Sequence, residues 1–278
     1  MKLPTYINQI SILLIILAFS TCYQPKKGCL DINAKNFDVA ADESCCDAVS
    51  CCCEYPDLKL NISFPLFPDT NLVFKMGQPY ALDEVHFFSV DSIAFFLSDI
   101  YLVNQAGDRF AVTDSLLVLH ENDTSFIKNN LTLIQRNQFE YNLGKFPYVD
   151  EFVGMECQIG LIDEANFIRQ DTLPTTHPLN NQSDHMYIDL EHGFHFFKTV
   201  FHRDTLPSSS AISIFHDELI KLSFSFPKPL NFRRGEDVSV NFNIYLLHLF
   251  ENVDFGTDSD ALIREKIKQN LPNLIVVD

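Results

Sequence analysis

The chain has no tryptophan, and only 20 lysines and arginines stand against 37 aspartates and glutamates, a formal net charge of −17 over 278 residues. That shortage of basic charge excludes the phosphate-tracking face on which nucleic-acid binding depends. The acidic surplus keeps an exported protein soluble and mildly favours cations as partners. Catalytic signatures are missing as well: there is no G-x-S-x-G elbow, P-loop, G-x-G-x-x-G or H-E-x-x-H. Carboxylates are plentiful, but no pair stands apart from a solvated surface, so the expectation is a protein that is not an enzyme. Long apolar runs are scarce too. The unbroken part of the N-terminal run, Ile12 to Phe19, falls far short of the roughly 20 residues that span a bilayer.

That run, "ISILLIILAFSTC", follows Lys2 and ends at Cys22. It reads as the core of an export signal over residues 1–21. Ser20 and Thr21 before Cys22 resemble a relaxed bacterial lipobox, which implies acylation of Cys22 and a lipid-held chain in the outer membrane, periplasmic or surface-facing. An ordinary secretory signal and an uncleaved anchor are the competing readings.

Cysteine is concentrated rather than scarce. Cys29, Cys45, Cys46, Cys51, Cys52 and Cys53 fall within residues 22–56. In an exported chain this density points to disulfides stapling a segment too small to bury a core, with the connectivity unreadable. A soft-metal site for Cu(I) or Zn is the alternative, although no zinc-finger spacing is present. "GCLDINAKNFDVAADESC" also resembles a Cys-bounded surface spacer common in exported Bacteroidota proteins. Isolated Cys157 reads as a buried thiol.

From residue 57 to 278 the pattern is all-β. Leu58, Leu60, Ile62, Phe64 and Leu66 alternate with polar residues, as do Ile220, Leu222, Phe224, Phe226 and Val238, Val240, Phe242, Ile244, Leu246. "SIAFFLSDIYLV" is apolar on both faces and belongs mid-sheet. Weaker strands are expected near 116–119, 139–143, 157–162, 186–190 and 194–201. One short C-terminal helix is expected at "SDALIREKIKQN", capped by Asp258 or Ser259 and followed by Pro272. This composition of elements indicates a β-sandwich. "DFGTDSD" offers oxygen ligands without EF-hand spacing, and reads as an acidic loop capping that helix.

Histidine supplies the remaining candidates. Four lie in "HMYIDLEHGFHFFKTVFH", His185 to His202. On a regular strand from Phe194 to His202, His195 shares a face with Phe197 and Phe201, and His202 takes the other face, so those two cannot hold one ion. His192 flanks a turn and could approach His195, with His216 or His248 as a third ligand. The competing reading is a set of satisfied structural side chains.

The order of "LKLNISFPL", "VDSIAFFLSDIYLVNQAGD", "HPLNNQSDHMYIDLEHGFHFFK", "AISIFHDELIKLSFSF" and "VNFNIYLLHLFENVD" resembles the MbnP-like family across residues 57–278. The resemblance implies an exported immunoglobulin-like β-sandwich, some of whose relatives bind copper through an oxidised tryptophan and a histidine, with a dihaem enzyme performing the oxidation. Met186, Tyr187, Gly193, Phe194 and Phe196 keep the family pattern. Ile188 and Leu190 stand where its tryptophans would be, and His216 holds its usual histidine position. The resemblance therefore implies an envelope binding module, its partner a protein or metal still to be identified, whose tryptophan-derived copper ligand cannot form. The alternative is a copper-binding protein using His216 with His192 or His195.

Overall fold

The computed structural model describes residues 24–47, 50–68, 70–180, 185–203, 210–277. The expected signal segment 1–21 and the lipidation at Cys22 lie outside them. No helix among the described residues is long and apolar enough to cross a membrane.

Two sheets bury one apolar core. The smaller is built on β1 (Asp57–Ser63), whose inward Leu58, Leu60 and Ile62 are buried while Lys59 and Asn61 face out. The pleat alone dictates that alternation. The larger sheet is built on β2 (Phe87–Asn104), which carries the apolar run predicted to lie mid-sheet. Next come β3 (Ser115–Leu119), β4 (Thr124–Lys128), β5 (Thr132–Gln135), β6 (Glu140–Lys145) and β7 (Glu151–Ile159). A one-turn helix α1 (Asp163–Asn166) precedes β8 (Tyr187–Asp189), β9 (Gly193–Phe194), β10 (Phe197–Arg203) and β11 (Ala211–His216). The chain closes with β12 (Ile220–Asn231), β13 (Val238–Ile244), helix α2 (Asp260–Asn270) and β14 (Ile275–Val277). Strand order is β6-β1-β13-β14 in the smaller sheet and β11-β10-β2-β7-β12 in the larger, where β5 also pairs with β2. β1 and β13 run parallel; the other pairings in these two sheets are antiparallel.

Why β2 is apolar on both faces is now plain. Ile93, Phe95 and Leu97 point into the core shared by the two sheets. Ala94 and Phe96 point the other way, into a second apolar layer with Val118, Ile127, Leu161, Met186, Phe194 and Phe196. In the absence of tryptophan, phenylalanine fills the large core positions: Phe88, Phe201, Phe250 and Phe255 form one ring cluster and Phe110, Phe146, Phe152 and Phe232 another. Edge-to-face contacts add to their burial.

α2 starts where expected. The Ser259 hydroxyl accepts from Leu262 N–H, Ile263 and Ile267 are buried against the core, and Pro272 lies in the 3₁₀ turn beyond its end. Two expectations fail. The strand at 238–246 ends at Ile244, because Leu246–Phe250 winds into a 3₁₀ turn. The strand at 194–202 is broken at His195 and Phe196, leaving β9 and β10 as separate pieces.

Residues 27–47 and 50–56 form a collar at the start of β1. Lys27–Gly28 pairs parallel with Glu43–Ser44, and the collar docks through Lys35, whose ammonium lies 2.5 Å from Asp237 and 3.6 Å from Asp57. Three disulfides join Cys29 to Cys53, Cys45 to Cys52 and Cys46 to Cys51. Cys157 is buried on β7, where loss of solvent pushes its thiol up to about 12, so it stays protonated.

Candidate functional site

The histidine-rich stretch turns on Gly193. Its φ of +71° favours glycine, and a Cβ there would come within 2.4 Å of the Asn166 side chain. That amide is needed, because Asn166 Oδ1 accepts from Phe194 N–H at 2.8 Å. His195 N–H donates to Met186 O at 2.7 Å and Phe196 N–H to His216 O at 2.8 Å. Phe194 and Phe196 are thus both drawn into the second apolar layer, while Phe197, the next residue, enters the main core. Two buried layers on opposite sides of the sheet cannot be reached by one regular alternation, so the strand bends between them.

The bend corrects the predicted parity. His195 leaves the face of Phe197 and packs on Phe215, ring centroids 4.3 Å apart, with Nδ1 2.7 Å from Asp217. His216 lies opposite Phe197 in the β10–β11 register and shares the buried face of Ile212 and Ile214. Phe215 and His216 are consecutive residues of β11 and point to opposite faces, so His195 and His216 sit on opposite sides of that strand. His202 is separate again, Nε2 2.8 Å from Asp91.

His192 is exposed, its ring 2.8 Å from Asp189. The His192 backbone N–H, then its ring, hold the Asp189 carboxyl below the usual range, and the Asp189 hydrogen bond pushes the imidazole up. A metal would have to displace that favoured proton, since copper binds neutral imidazole. His248 does not extend an inward face; its Nδ1 is 2.8 Å from the Asn273 carbonyl, and its ring stacks on Tyr245.

His216 is the exception. It is 9% exposed, and its Nε2 is buried without a hydrogen-bond partner among the described residues. Burial, then the nearby Lys268 charge, hold its pKa below the ordinary value against Glu218 and Asp217. Among the described residues, one set of three ligand atoms lies within 4.8 Å of one another: Cys45, Cys46 and Cys53. His192, His195 and His216 therefore do not fit a single copper ion as arranged.

The other polar candidates have structural employment. Asp254 accepts from Gly256 and Thr257 N–H and from the Thr257 hydroxyl, and Asp258 pairs with Lys266 at 2.6 Å. The Leu-Ser-Asp segment of β2 is a bulge: Asp99 has φ +53°, and the Ser98 hydroxyl donates to Gly160 O and accepts from Gln158. A feature the sequence did not signal is an open groove of about 1090 Å³ at the end of β1 far from the collar. It is lined by Phe64, Phe67, Leu72, Val73, Phe139 and Val276, with Phe67, Leu72, Val73 and Phe139 each about half exposed or more. Phe67, Leu72 and Val73 lie outside the strands and carry no alternation to mark them, whereas Phe64 continues the pattern of β1 and Val276 lies on β14.

These features define a β protein with a disulfide-stapled N-terminal segment, consistent with an oxidising, extracytoplasmic setting. The profile of the MbnP family matches residues 57–267, and the chain belongs to that family. The family is copper-associated. No curated protein matches the chain. Among solved structures it is similar to MbnP from Methylosinus trichosporium, at 15% identity and a TM-score of 0.46, over 72% of this chain and 79% of that chain.

Proposed function

We propose that this protein is an exported, membrane-anchored, non-enzymatic module of the cell envelope that binds a partner and has lost the tryptophan-derived copper site of its family. In this reading residues 1–21 direct export, acylated Cys22 holds the chain to the outer membrane, residues 22–56 act as a spacer, and residues 57–278 form an immunoglobulin-like sandwich. The observation that carries it is the fate of the metal-bearing segment. The chain has no tryptophan, Ile188 is 42% exposed at one of the positions in question, and the nearby histidines are divided between faces and paired with Asp189 and Asp217. The apolar groove, at the opposite end of β1 from the collar, supplies surface for a partner.

A second reading, copper held through histidine, is favoured by one observation: the buried, unpartnered Nε2 of His216. Competition titration of the oxidised protein with Cu(I) and Cu(II) separates the two. Affinity no better than that of a free histidine peptide supports the first; tight binding abolished by His216→Ala supports the second.

A further inference from the structure

The sulfur atoms of the collar are closer together than three separate disulfides require. Cys45, Cys46 and Cys53 each belong to a different disulfide, yet their Sγ atoms all lie within 4.8 Å of one another, and Cys46 Sγ is 3.4 Å from Cys53 Sγ. Two short segments bring them there. Asn36 clamps the second by donating to Cys52 O at 2.6 Å and accepting from Glu54 N–H at 2.9 Å, and Cys45 N–H ties the first to Gly28 O at 2.9 Å. All three cysteines are partly exposed, whereas Cys29 is 1% exposed.

Thiolates bound to a soft ion at about 2.3 Å stand about 3.8 Å apart around a tetrahedral ion and about 4.0 Å apart around a trigonal one. With Cys46 and Cys53 3.4 Å apart and every pair within 4.8 Å, the sulfur trio brackets those separations without a fourth member. Three-sulfur coordination suits Cu(I) better than Zn²⁺, which takes four ligands. We propose that the collar is a redox-gated thiolate site: oxidised, it is a disulfide staple; reduced, Cys45, Cys46 and Cys53 bind one Cu(I). The balance is simple. Three dithiol molecules reduce the three disulfides to six thiols and leave as three cyclic disulfides. Cu(I) then displaces the three thiol protons of the trio to solvent. On reoxidation three disulfide molecules from solution accept the six electrons, with three protons from the remaining thiols and three from solvent, and leave as six thiols. The re-formed cysteine disulfides release the ion. This site involves no histidine and stands whether or not His216 binds copper.

Each disulfide has one cysteine inside the trio and one outside it, which gives an internal control. Full-length protein is reduced with dithiothreitol, freed of it under argon and titrated with Cu(I) against a chromophoric chelator. Cys45→Ser, Cys46→Ser and Cys53→Ser should each weaken binding about tenfold or more, in line with loss of a metal-bound group. Cys52→Ser, Cys51→Ser and Cys29→Ser remove the same three disulfides and should leave affinity near that of the parent. X-ray absorption of the loaded protein should show sulfur-only coordination. Equal losses within each pair would overturn the proposal, as would oxidised protein that binds as tightly as reduced protein, or nitrogen ligands in the absorption spectrum.

Discussion

Replacing Gly193 with alanine tests why the histidine-rich segment bends as it does. Two costs are separable. The φ of +71° puts a Cβ against the backbone, about 1 kcal/mol for an L residue in the left-handed region. The new methyl would also lie 2.4–2.8 Å from the Asn166 side-chain atoms. Moving that amide leaves the buried Phe194 N–H unpaired, about 1–3 kcal/mol. The sum is about 2–4 kcal/mol. Gly77 is the control, because its φ is also +71° and nothing lies within 4 Å of its added Cβ. Gly77→Ala should therefore cost only the backbone share, about 1 kcal/mol. Urea denaturation of oxidised protein, read as midpoint shifts at constant slope, measures both. Equal losses for the two variants would refute the packing argument and leave the bend without its stated cause.

Two further outcomes follow from the same reasoning. His177 accepts from Leu179 N–H at Nδ1 and lies 3.1 Å from Asn129 Oδ1 at Nε2, and burial pushes its pKa down to about 4. The unfolded chain, with an ordinary histidine pKa near 6.5, then binds the extra proton, so stability is full above about pH 6.5, falls toward pH 4 and levels below it. Discounted for a half-buried ring, the loss is about 1–2 kcal/mol, and His177→Gln should flatten that part of a pH series of urea midpoints. Cys22→Ser should move the protein from the membrane to the soluble fraction of lysed cells; retention on membranes would count against the anchor.

Much of the fold was legible because half-buried strands advertise themselves. Leu58, Leu60 and Ile62, or Val238, Val240 and Phe242, alternate cleanly since one side meets the core and the other meets water. The run from Ile93 to Val103 was legible for the opposite reason, being covered on both sides of the sheet. What the pattern concealed was the second layer itself, assembled from short pieces such as β3, β4, α1 and the β8–β9 hairpin. That layer captures Phe194 and Phe196, and so defeats period-two reading at His195. The Leu246–Phe250 turn failed in the same way: an apolar run has no alternation to separate a strand from a 3₁₀ turn. Cysteine pairing was unreadable because connectivity depends on which loops meet. Cys46 and Cys53 are seven residues apart, and only the folded collar sets their sulfurs side by side.

The central claim, that this family member lacks a copper site among its sandwich histidines, meets its most direct test in titration of the oxidised full-length protein with Cu(I) and Cu(II) against competing chelators. The division of His192, His195 and His216 among separate surroundings predicts only weak binding, no tighter than to a free histidine peptide and unchanged by His216→Ala. Tight binding of one copper per chain, lost on that substitution, would contradict it.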